Sequence, residues 1–271
     1  LTDLFRNRGL VLGFALAGGI NVLNGLHVFY PVLPQIPIRG IDLRSLLTEK
    51  PWSAAGWFPI RFYPFVIGLG FLIPLDLSFS CWAFYLIYKL QLILGNVMGL
   101  RGLPRFPYGN EQAAGAYIGL CALALWGSRK HLREVFKKSL GFPSQLDESN
   151  EPIRYRTAML TILCTAVLLL LFGVKAGLTL WAAGIFLALY FAISIAITRM
   201  RAELGAPVHD LWYAGATGPD TMMVNIFGTQ RLGPANLTAM SLFYGFNRDY
   251  RNHPQPHQLE GFKMAELISL N

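Results

Sequence analysis

Residues 157–198 read TAMLTILCTAVLLLLFGVKAGLTLWAAGIFLALYFAISIAIT. Two apolar runs, 157–174 and 178–198, are separated only by Lys175, Ala176 and Gly177. Each run is close to the ~20 residues that an α-helix needs to cross the hydrocarbon core of a bilayer. The stretch therefore predicts two membrane-spanning helices joined as a tight antiparallel hairpin.

The composition of the whole chain agrees with this prediction. Of its 271 residues, 54% are hydrophobic and 14% are charged, whereas soluble domains have about 45–50% apolar and about 25% charged residues. The formal net charge of +8 comes from basic residues that flank apolar runs and do not form one patch. This distribution follows the positive-inside rule and argues against nucleic acid as a partner.

The lengths of the apolar runs predict an all-α fold, with a polytopic transmembrane helical bundle in residues 1–198 and a cytoplasmic or interfacial tail in residues 199–271. The predicted spans are 9–33, 62–97, 111–126, 157–174 and 178–198. We assign the loop before the hairpin to the cytoplasm because it is rich in basic residues, namely Arg129, Lys130, Arg133, Lys137, Lys138, Arg154 and Arg156. If 62–97 crosses once, residues 34–61 are inside and the N-terminus is outside. If it forms a re-entrant hairpin, both assignments reverse.

Two further segments are expected to form amphipathic helices at the membrane interface. Residues 128–141, SRKHLREVFKKSLG, place apolar side chains at helical spacing and basic side chains on the other faces. Such a helix suits an anionic leaflet, so anionic lipid is a predicted partner in addition to the bilayer itself. A second amphipathic helix is predicted over residues 234–250, where Pro234 would begin it; it would either lie at the interface or pack under the spans.

The second predicted span is too long for one straight crossing. A helix over 62–97 would be about 54 Å long, against a hydrocarbon core of about 30 Å. Within it, residues 71–82 read FLIPLDLSFSCW, and Pro74 predicts a break in the helix. Gly68 and Gly70, one turn earlier, would allow another helix or a ligand to approach closely.

Asp76 follows this break, and a carboxylate inside a span must face protein or water, or be protonated. One hypothesis makes Asp76 part of a cation or proton site with the hydroxyls of Ser78 and Ser80, since transporters build such sites at broken helices. The other makes Asp76 the N-cap of a second half-helix that begins near Leu77. The two hypotheses are compatible, and the residues alone leave both open.

Three other polar side chains are candidates for binding a substrate or an ion. Asn24 and His27 are separated by three residues and therefore share one face of the first span. Glu111 lies in the first turn of the third span, where the helix dipole favours a negative charge. For Glu111 a stabilising role at the helix end is the favoured interpretation.

Signatures of catalysis are missing from the sequence, so we expect no enzyme activity, no catalytic residues, no cofactor and no metal. There is no HExxH, no phosphate-binding loop, no dinucleotide fingerprint and no CxxCH. His253 and His257 have the i, i+4 spacing of metal ligands, but the two prolines near them are expected to prevent a regular helix. An alternative that stays open is a membrane-embedded metal-dependent enzyme using Glu203, His209 and Asp210.

Five long stretches together resemble a known family. They are LNGLHVFYPVLP (23–34), IGLGFLIPLDLSFSCWAFYL (67–86), FPYGNEQAAGAY (106–117), FAISIAITRMRAELGAPVHDL (191–211) and LGPANLTAMSLFYGFNRDYRNHPQPHQLEGFKMAE (232–266). They resemble a domain-of-unknown-function family of large bacterial polytopic membrane proteins that is remotely similar to the oligopeptide transporter (OPT) superfamily. The resemblance implies the bacterial inner membrane, and further spans before Leu1 or other membrane subunits as partners.

The leading hypothesis is a secondary transporter, or a fragment of one, for a small polar solute or a peptide. Proton coupling through Asp76 is part of that hypothesis, which rests on the broken second span and on the polar face of the first span. The alternative is a non-catalytic subunit of a larger membrane complex.

Overall fold

The computed structural model describes residues 7–38, 40–149, 151–205, 218–245 and 253–268. Within these residues the fold is all-α, as predicted, apart from one short antiparallel pair of strands, β1 (Ile41–Asp42) and β2 (Pro59–Ile60). The α-helices of the described residues are α1 (Arg8–Phe29), α2 (Pro64–Leu72), α3 (Leu75–Val97), α4 (Gly109–Gly127), α5 (Arg129–Ser139), α6 (Tyr155–Lys175), α7 (Leu180–Leu204), α8 (Pro219–Leu242) and α9 (Pro254–Leu267).

Four of these helices, α1, α3, α6 and α7, are long and apolar enough to cross a membrane. The chain is therefore an integral membrane protein, as its composition predicts. The predicted third span, 111–126, does form the helix α4, but α4 is not among the four because Asn110, Glu111 and Gln112 make its first turn polar. Its crossing stays a prediction.

The chain forms two compact units, Leu1–Pro107 and Tyr108–Asn271. In the first unit, α3 packs against a 3-10 turn at Trp52–Ala55 and another at Leu100–Gly102. Close to its end, α3 carries Gly95 against the ring of Phe106, and a Cβ at Gly95 would lie 2.1 Å from that ring. A side chain larger than hydrogen at this position would therefore require the Phe106 ring to move.

The second unit is organised around α7, which packs against α4, α6, α8 and α9. One buried apolar cluster joins α7, α8 and the connector before α7, namely Leu178, Ala182, Ala183, Phe186, Met223, Leu232, Ala239 and Met240. A second cluster contains Ile193, Ile197 and Met222. In the most apolar 18-residue stretch of each helix, 39% of the residues of α7 are buried, compared with 6% of the residues of α6. Of the two helices of the predicted hairpin, α7 is therefore the inner one, and α6 presents its apolar surface outward.

The two predicted interfacial helices have different outcomes. The segment 128–141 contains a separate helix, α5. In the segment 234–250, Pro234 does begin a helical stretch: the backbone at Gly233 is non-helical (φ 72°, ψ 165°), so the last part of α8, from Pro234 to Leu242, is separated by a kink from the part that begins at Pro219. Only the part from Pro234 to Leu242 coincides with the prediction; residues 246–250 lie outside the described residues. Ala239 and Met240 in this part are buried in the core, because α8 packs on α7.

Candidate functional site

The predicted break in the second span is present. Helix α2 ends at Leu72, and α3 begins at Leu75. Between them, Ile73 is extended (φ −80°, ψ 141°) and Pro74 has φ −52° and ψ 140°. A residue before proline is sterically pushed out of the helical region, so the local sequence Ile73–Pro74 is sufficient to separate the two helices.

Asp76 occupies the first turn of α3 and is exposed to solvent or lipid. The prediction that Asp76 would be the N-cap of a helix starting near Leu77 is wrong. Pro74 is the N-cap residue, its carbonyl accepts a hydrogen bond from the Ser78 N–H at 3.0 Å, and no side chain caps the helix. The helix starts two residues earlier because proline suits the start of a helix, where its missing N–H is not needed. Asp76 can still stabilise α3 through the helix dipole.

Three of the predicted binding residues line one open groove of about 380 Å³. The groove is formed by Leu75, Asp76, Ser78, Phe79, Ser80 and Trp82. The rings of Phe79 and Trp82 meet edge to face, with centroids 5.1 Å apart. The groove therefore combines a carboxylate, two hydroxyls and an aromatic wall, a combination that can bind a cationic group and hydrogen-bond a polar solute.

Gly68 and Gly70 lie on α2, before the break. A Cβ at either position would meet no atom within 4 Å. The predicted close approach of another element is therefore not made by any residue that the structure describes, and this face of α2 is bare.

Asn24 and His27 bind the backbone of the loop that follows α1. The Asn24 Nδ2 donates to the Ile36 carbonyl at 2.9 Å, and the Ile36 N–H donates to the Asn24 Oδ1 at 2.8 Å. The His27 Nδ1 lies 2.6 Å from the carbonyl oxygen of Leu33. These two side chains fold the loop back onto the end of α1, and they are not part of the groove at Asp76.

Glu111 lies in the first turn of α4, in the second unit, as its dipole role predicts. The helix begins after Tyr108, which adopts a left-handed conformation with φ 59°. Within the first unit, the structure brings Asp76, Ser78 and Ser80 together and places Asn24 and His27 elsewhere, against the loop that follows α1.

Lys89, which no sequence pattern singled out as a candidate, has a side chain buried within the candidate span α3. Its ammonium donates hydrogen bonds to the carbonyl oxygens of Ala55 at 3.0 Å and Trp57 at 2.5 Å. The rings of Phe58, Tyr85 and Tyr88 lie 5.7, 5.3 and 5.8 Å from the same nitrogen. Carbonyl dipoles and aromatic faces both stabilise a cation. The sequence feature that could have indicated this site is a single lysine within a span rich in aromatic residues.

The loop that supplies these carbonyls is organised by Asp42. Its Oδ1 accepts hydrogen bonds from the backbone N–H groups of Arg44 and Phe58, each at 3.0 Å. These two bonds, the one from Arg44 first, hold the pKa of Asp42 below its ordinary value of 3.8. Asp42 thus joins the two sides of the loop next to the Lys89 site.

A buried polar cluster in the second unit was also missed. The Ser194 Oγ on α7 lies 2.6 Å from the His253 Nε2 and also donates to the Gln255 Oε1. Thr198 donates to the Ser194 carbonyl at 2.8 Å. The tyrosine ring of Tyr190 meets the His253 ring edge to face. These contacts attach the start of α9 to the middle of α7.

The expectation that the nearby prolines would prevent a regular helix around His257 is wrong. Pro254 and Pro256 lie in the first turn of α9, where their missing N–H groups are not required, and His253 is the N-cap residue. His253 is buried, whereas His257 is exposed on the helix and its Nδ1 lies 3.8 Å from Glu260. The His253 ring contacts Ser194 on α7, and the His257 ring lies beside Glu260 on its own helix.

The residues of the enzyme alternative are described only in part. The carboxylate of Glu203 pairs with Arg199 one turn earlier on α7. His209 and Asp210 lie outside the described residues. In the part of the chain that the structure describes, no three His, Cys, Asp or Glu side chains are grouped to hold a metal ion.

Comparison with known proteins identifies the family. The chain belongs to the Family of unknown function (DUF6785), whose model matches residues 2–271. No curated protein matches the chain, and no solved structure matches it.

Proposed function

We propose that this member of the DUF6785 family is a secondary transporter, or part of one, for a small polar solute or a peptide. The observation that carries the proposal is the discontinuity between α2 and α3, with Asp76 in the first turn after it and a polar groove beside it. Discontinuous helices near a carboxylate are a recurring way to build substrate and ion sites in transporters.

The break offers two kinds of ligand atom to a cation. The last carbonyl groups of α2 have no partners within their own helix, and the negative end of the α2 dipole points toward the break. The carboxylate of Asp76 lies four residues after Leu72, the last residue of α2, and makes no hydrogen bond or ion pair with any described residue. We infer that Asp76 binds the coupling proton or the cationic group of the substrate, with Ser78 and Ser80 as hydrogen-bonding neighbours.

The proposal includes a membrane arrangement and a location. It takes α4 as a fifth membrane crossing in addition to α1, α3, α6 and α7, and it places α5 in contact with anionic lipid. It places the protein in the bacterial inner membrane and gives it no catalytic role. The resemblance of its long motifs to the OPT-like family supports transport as the class of activity.

Uptake into proteoliposomes tests the proposal. The purified full-length protein is reconstituted, and uptake of labelled amino acids and of di- to tetrapeptides is measured with and without an inward proton gradient. We expect gradient-driven uptake of at least one class, and its loss in Asp76→Asn. Glu49→Gln is the matched control, because Glu49 is an exposed carboxylate in the same unit. Absence of uptake by the wild-type protein contradicts transport of these solutes, and unchanged uptake by Asp76→Asn contradicts the role of Asp76.

A further inference from the structure

The short basic helix α5 is fixed between the end of α4 and the start of α6. At its first residue, Arg129 donates to the Trp126 carbonyl at 2.8 Å and its guanidinium lies 4.7 Å from the centre of the Trp126 ring. At its last residue, the Ser139 Oγ contacts the carbonyl oxygen of Tyr155 at 3.2 Å. Since α6 is a candidate membrane span that begins at Tyr155, these contacts hold α5 at the level where that span starts.

An apolar stripe on α5 is left uncovered. Leu132 and Phe136 on α5, and Leu140 directly after its last residue, follow one another at four-residue spacing and are 43%, 54% and 60% exposed. Residues with this spacing lie above one another on the same side of a helix. Phe142 continues the exposed apolar surface beyond the helix, and Trp126 precedes it. Tryptophan is typical of the boundary between the bilayer and water.

Two basic side chains beside this stripe have no hydrogen-bond or ion-pair partner in the part of the chain that the structure describes. Lys137 is paired with Glu134, and Lys138 donates to the Leu146 carbonyl. Lys130 and Arg133, in contrast, are exposed and make no hydrogen bond or ion pair with any residue that the structure describes. Arg133 lies three residues before Phe136, so it is next to the apolar stripe on the helix surface. Lys130 lies three residues before Arg133, so the two basic side chains are neighbours on one side of the helix.

The one acidic residue of α5, Glu134, is paired within the protein and therefore does not repel an anionic lipid surface. Glu134 accepts hydrogen bonds from Lys137 at 2.6 Å and from Ser144 at 3.2 Å. The bond from Lys137, the larger cause, and the one from Ser144 hold the pKa of Glu134 below its ordinary value. Glu134 is therefore a carboxylate at neutral pH, but its charge is balanced by Lys137 within the protein.

We propose that the basic apolar face of α5, formed by Lys130, Leu132, Arg133, Phe136 and Leu140, binds the surface of a leaflet that contains anionic phospholipids. The exposed apolar side chains would enter the boundary between headgroups and acyl chains. Lys130 and Arg133 would bind the lipid phosphates, since an anionic leaflet attracts basic residues next to a span. The inference rests on the membrane location in the proposed function and does not depend on transport.

Hydrogen exchange of the full-length protein in nanodiscs tests this inference. Exchange of the α5 amides is compared in discs of phosphatidylcholine alone and in discs that also contain phosphatidylglycerol. We expect slower exchange of α5 in the anionic discs, by about fivefold for each unengaged basic residue. We expect high salt to remove the difference, because exposed charges are screened.

Three double variants make the test specific. Lys130→Gln combined with Arg133→Gln should lose the dependence on anionic lipid, whereas Lys130→Arg combined with Arg133→Lys should keep it. Arg44→Gln with Lys50→Gln removes two exposed charges in the first unit and should leave α5 unchanged. Equal protection of α5 in neutral and anionic discs overturns the inference, as does full lipid dependence in the double glutamine variant. Either result would leave the uptake measurement unaffected.

Discussion

The ammonium of Lys89 donates a hydrogen bond to the carbonyl oxygen of Ala55 at 3.0 Å. This bond connects a candidate membrane span, α3, to a loop residue that lies 34 positions before Lys89 in the chain. The cation is stabilised there by carbonyl groups and aromatic rings, without an ion pair to a carboxylate among the residues that the structure describes. The polar interior of this unit is therefore built by the backbone of a loop.

Replacing Lys89 tests whether this contact holds the loop in place. In Lys89→Met the apolar stem is retained, but the carbonyls of Ala55 and Trp57 lose their donor. An unsatisfied buried polar group costs about 1–3 kcal/mol, so we expect a loss of that size in the free energy of unfolding, measured in detergent. Lys175→Met is the control, because Lys175 is exposed at the end of α6. Equal stability of the two variants would show that the contact contributes nothing.

Neutralising Asp76 should change the stability of the protein very little. Asp76 is exposed, and its one identifiable structural contribution is to the dipole of α3. A charge at this position contributes about 0.3–1 kcal/mol, so the unfolding midpoint of Asp76→Asn should stay within a few degrees of the wild type in detergent. A large destabilisation would mean that the carboxylate is packed against protein, and loss of uptake in this variant would then have a structural cause.

The hydroxyl of Ser194 is expected to keep α9 attached to α7. Ser194→Ala removes the hydroxyl that contacts His253 and Gln255. The polar atoms of these two side chains then lose their hydrogen bonds to Ser194. We expect the amides of 254–267 to exchange at least about fivefold faster, which corresponds to the loss of one net hydrogen bond. Ser241→Ala, at an exposed serine of α8, should leave this exchange unchanged. If the amides of α9 exchange at the same rate in both variants, the Ser194 hydroxyl does not hold α9 on α7.

The parts of the fold that could be predicted from sequence are those with a local cause. The hairpin of α6 and α7 follows from run length, and the break after Leu72 follows from the steric effect of Pro74 on Ile73. The start of α3 was misjudged because two local rules competed: an acidic N-cap at Asp76 and a proline at the helix start. The proline rule fits the observed backbone.

The clusters that sequence analysis missed have partners that are distant in the chain. Ser194 and His253 meet because α9 packs on one particular side of α7, and no spacing in the sequence encodes that side. Lys89 is bound by the carbonyls of Ala55 and Trp57, and a backbone carbonyl is the same for every residue type. Identifying these partners required the packing of the helices, which depends on many weak contacts together.

The stability contributed by Asp42 should depend on pH with a defined sign. The backbone N–H groups of Arg44 and Phe58 bind the carboxylate form and lower its pKa in the folded protein. The contribution is therefore complete above the ordinary value of 3.8, and it is lost as the pH falls through the lower pKa of the folded state. We expect the wild type to unfold at a higher temperature than Asp42→Asn near neutral pH, with the difference shrinking only below the ordinary value. A difference that disappears already between neutral pH and that value would contradict the assignment.

Gly40 should be the most sensitive glycine of the loop. Its φ is +74°, and a Cβ at this position would lie 1.6 Å from the carbonyl oxygen of Ile60, on the adjacent strand β2. Gly56 also has a positive φ, +63°, but a Cβ there would meet no atom within 4 Å. Both Gly→Ala variants therefore carry backbone strain of about 1–2 kcal/mol. Only Gly40→Ala also places its methyl group against a backbone carbonyl, which, unlike a side chain, cannot change rotamer to relieve the clash. We expect Gly40→Ala to lower the free energy of unfolding by at least about 2 kcal/mol more than Gly56→Ala. Equal losses would mean that β1 and β2 can separate without consequence for the loop that surrounds Lys89.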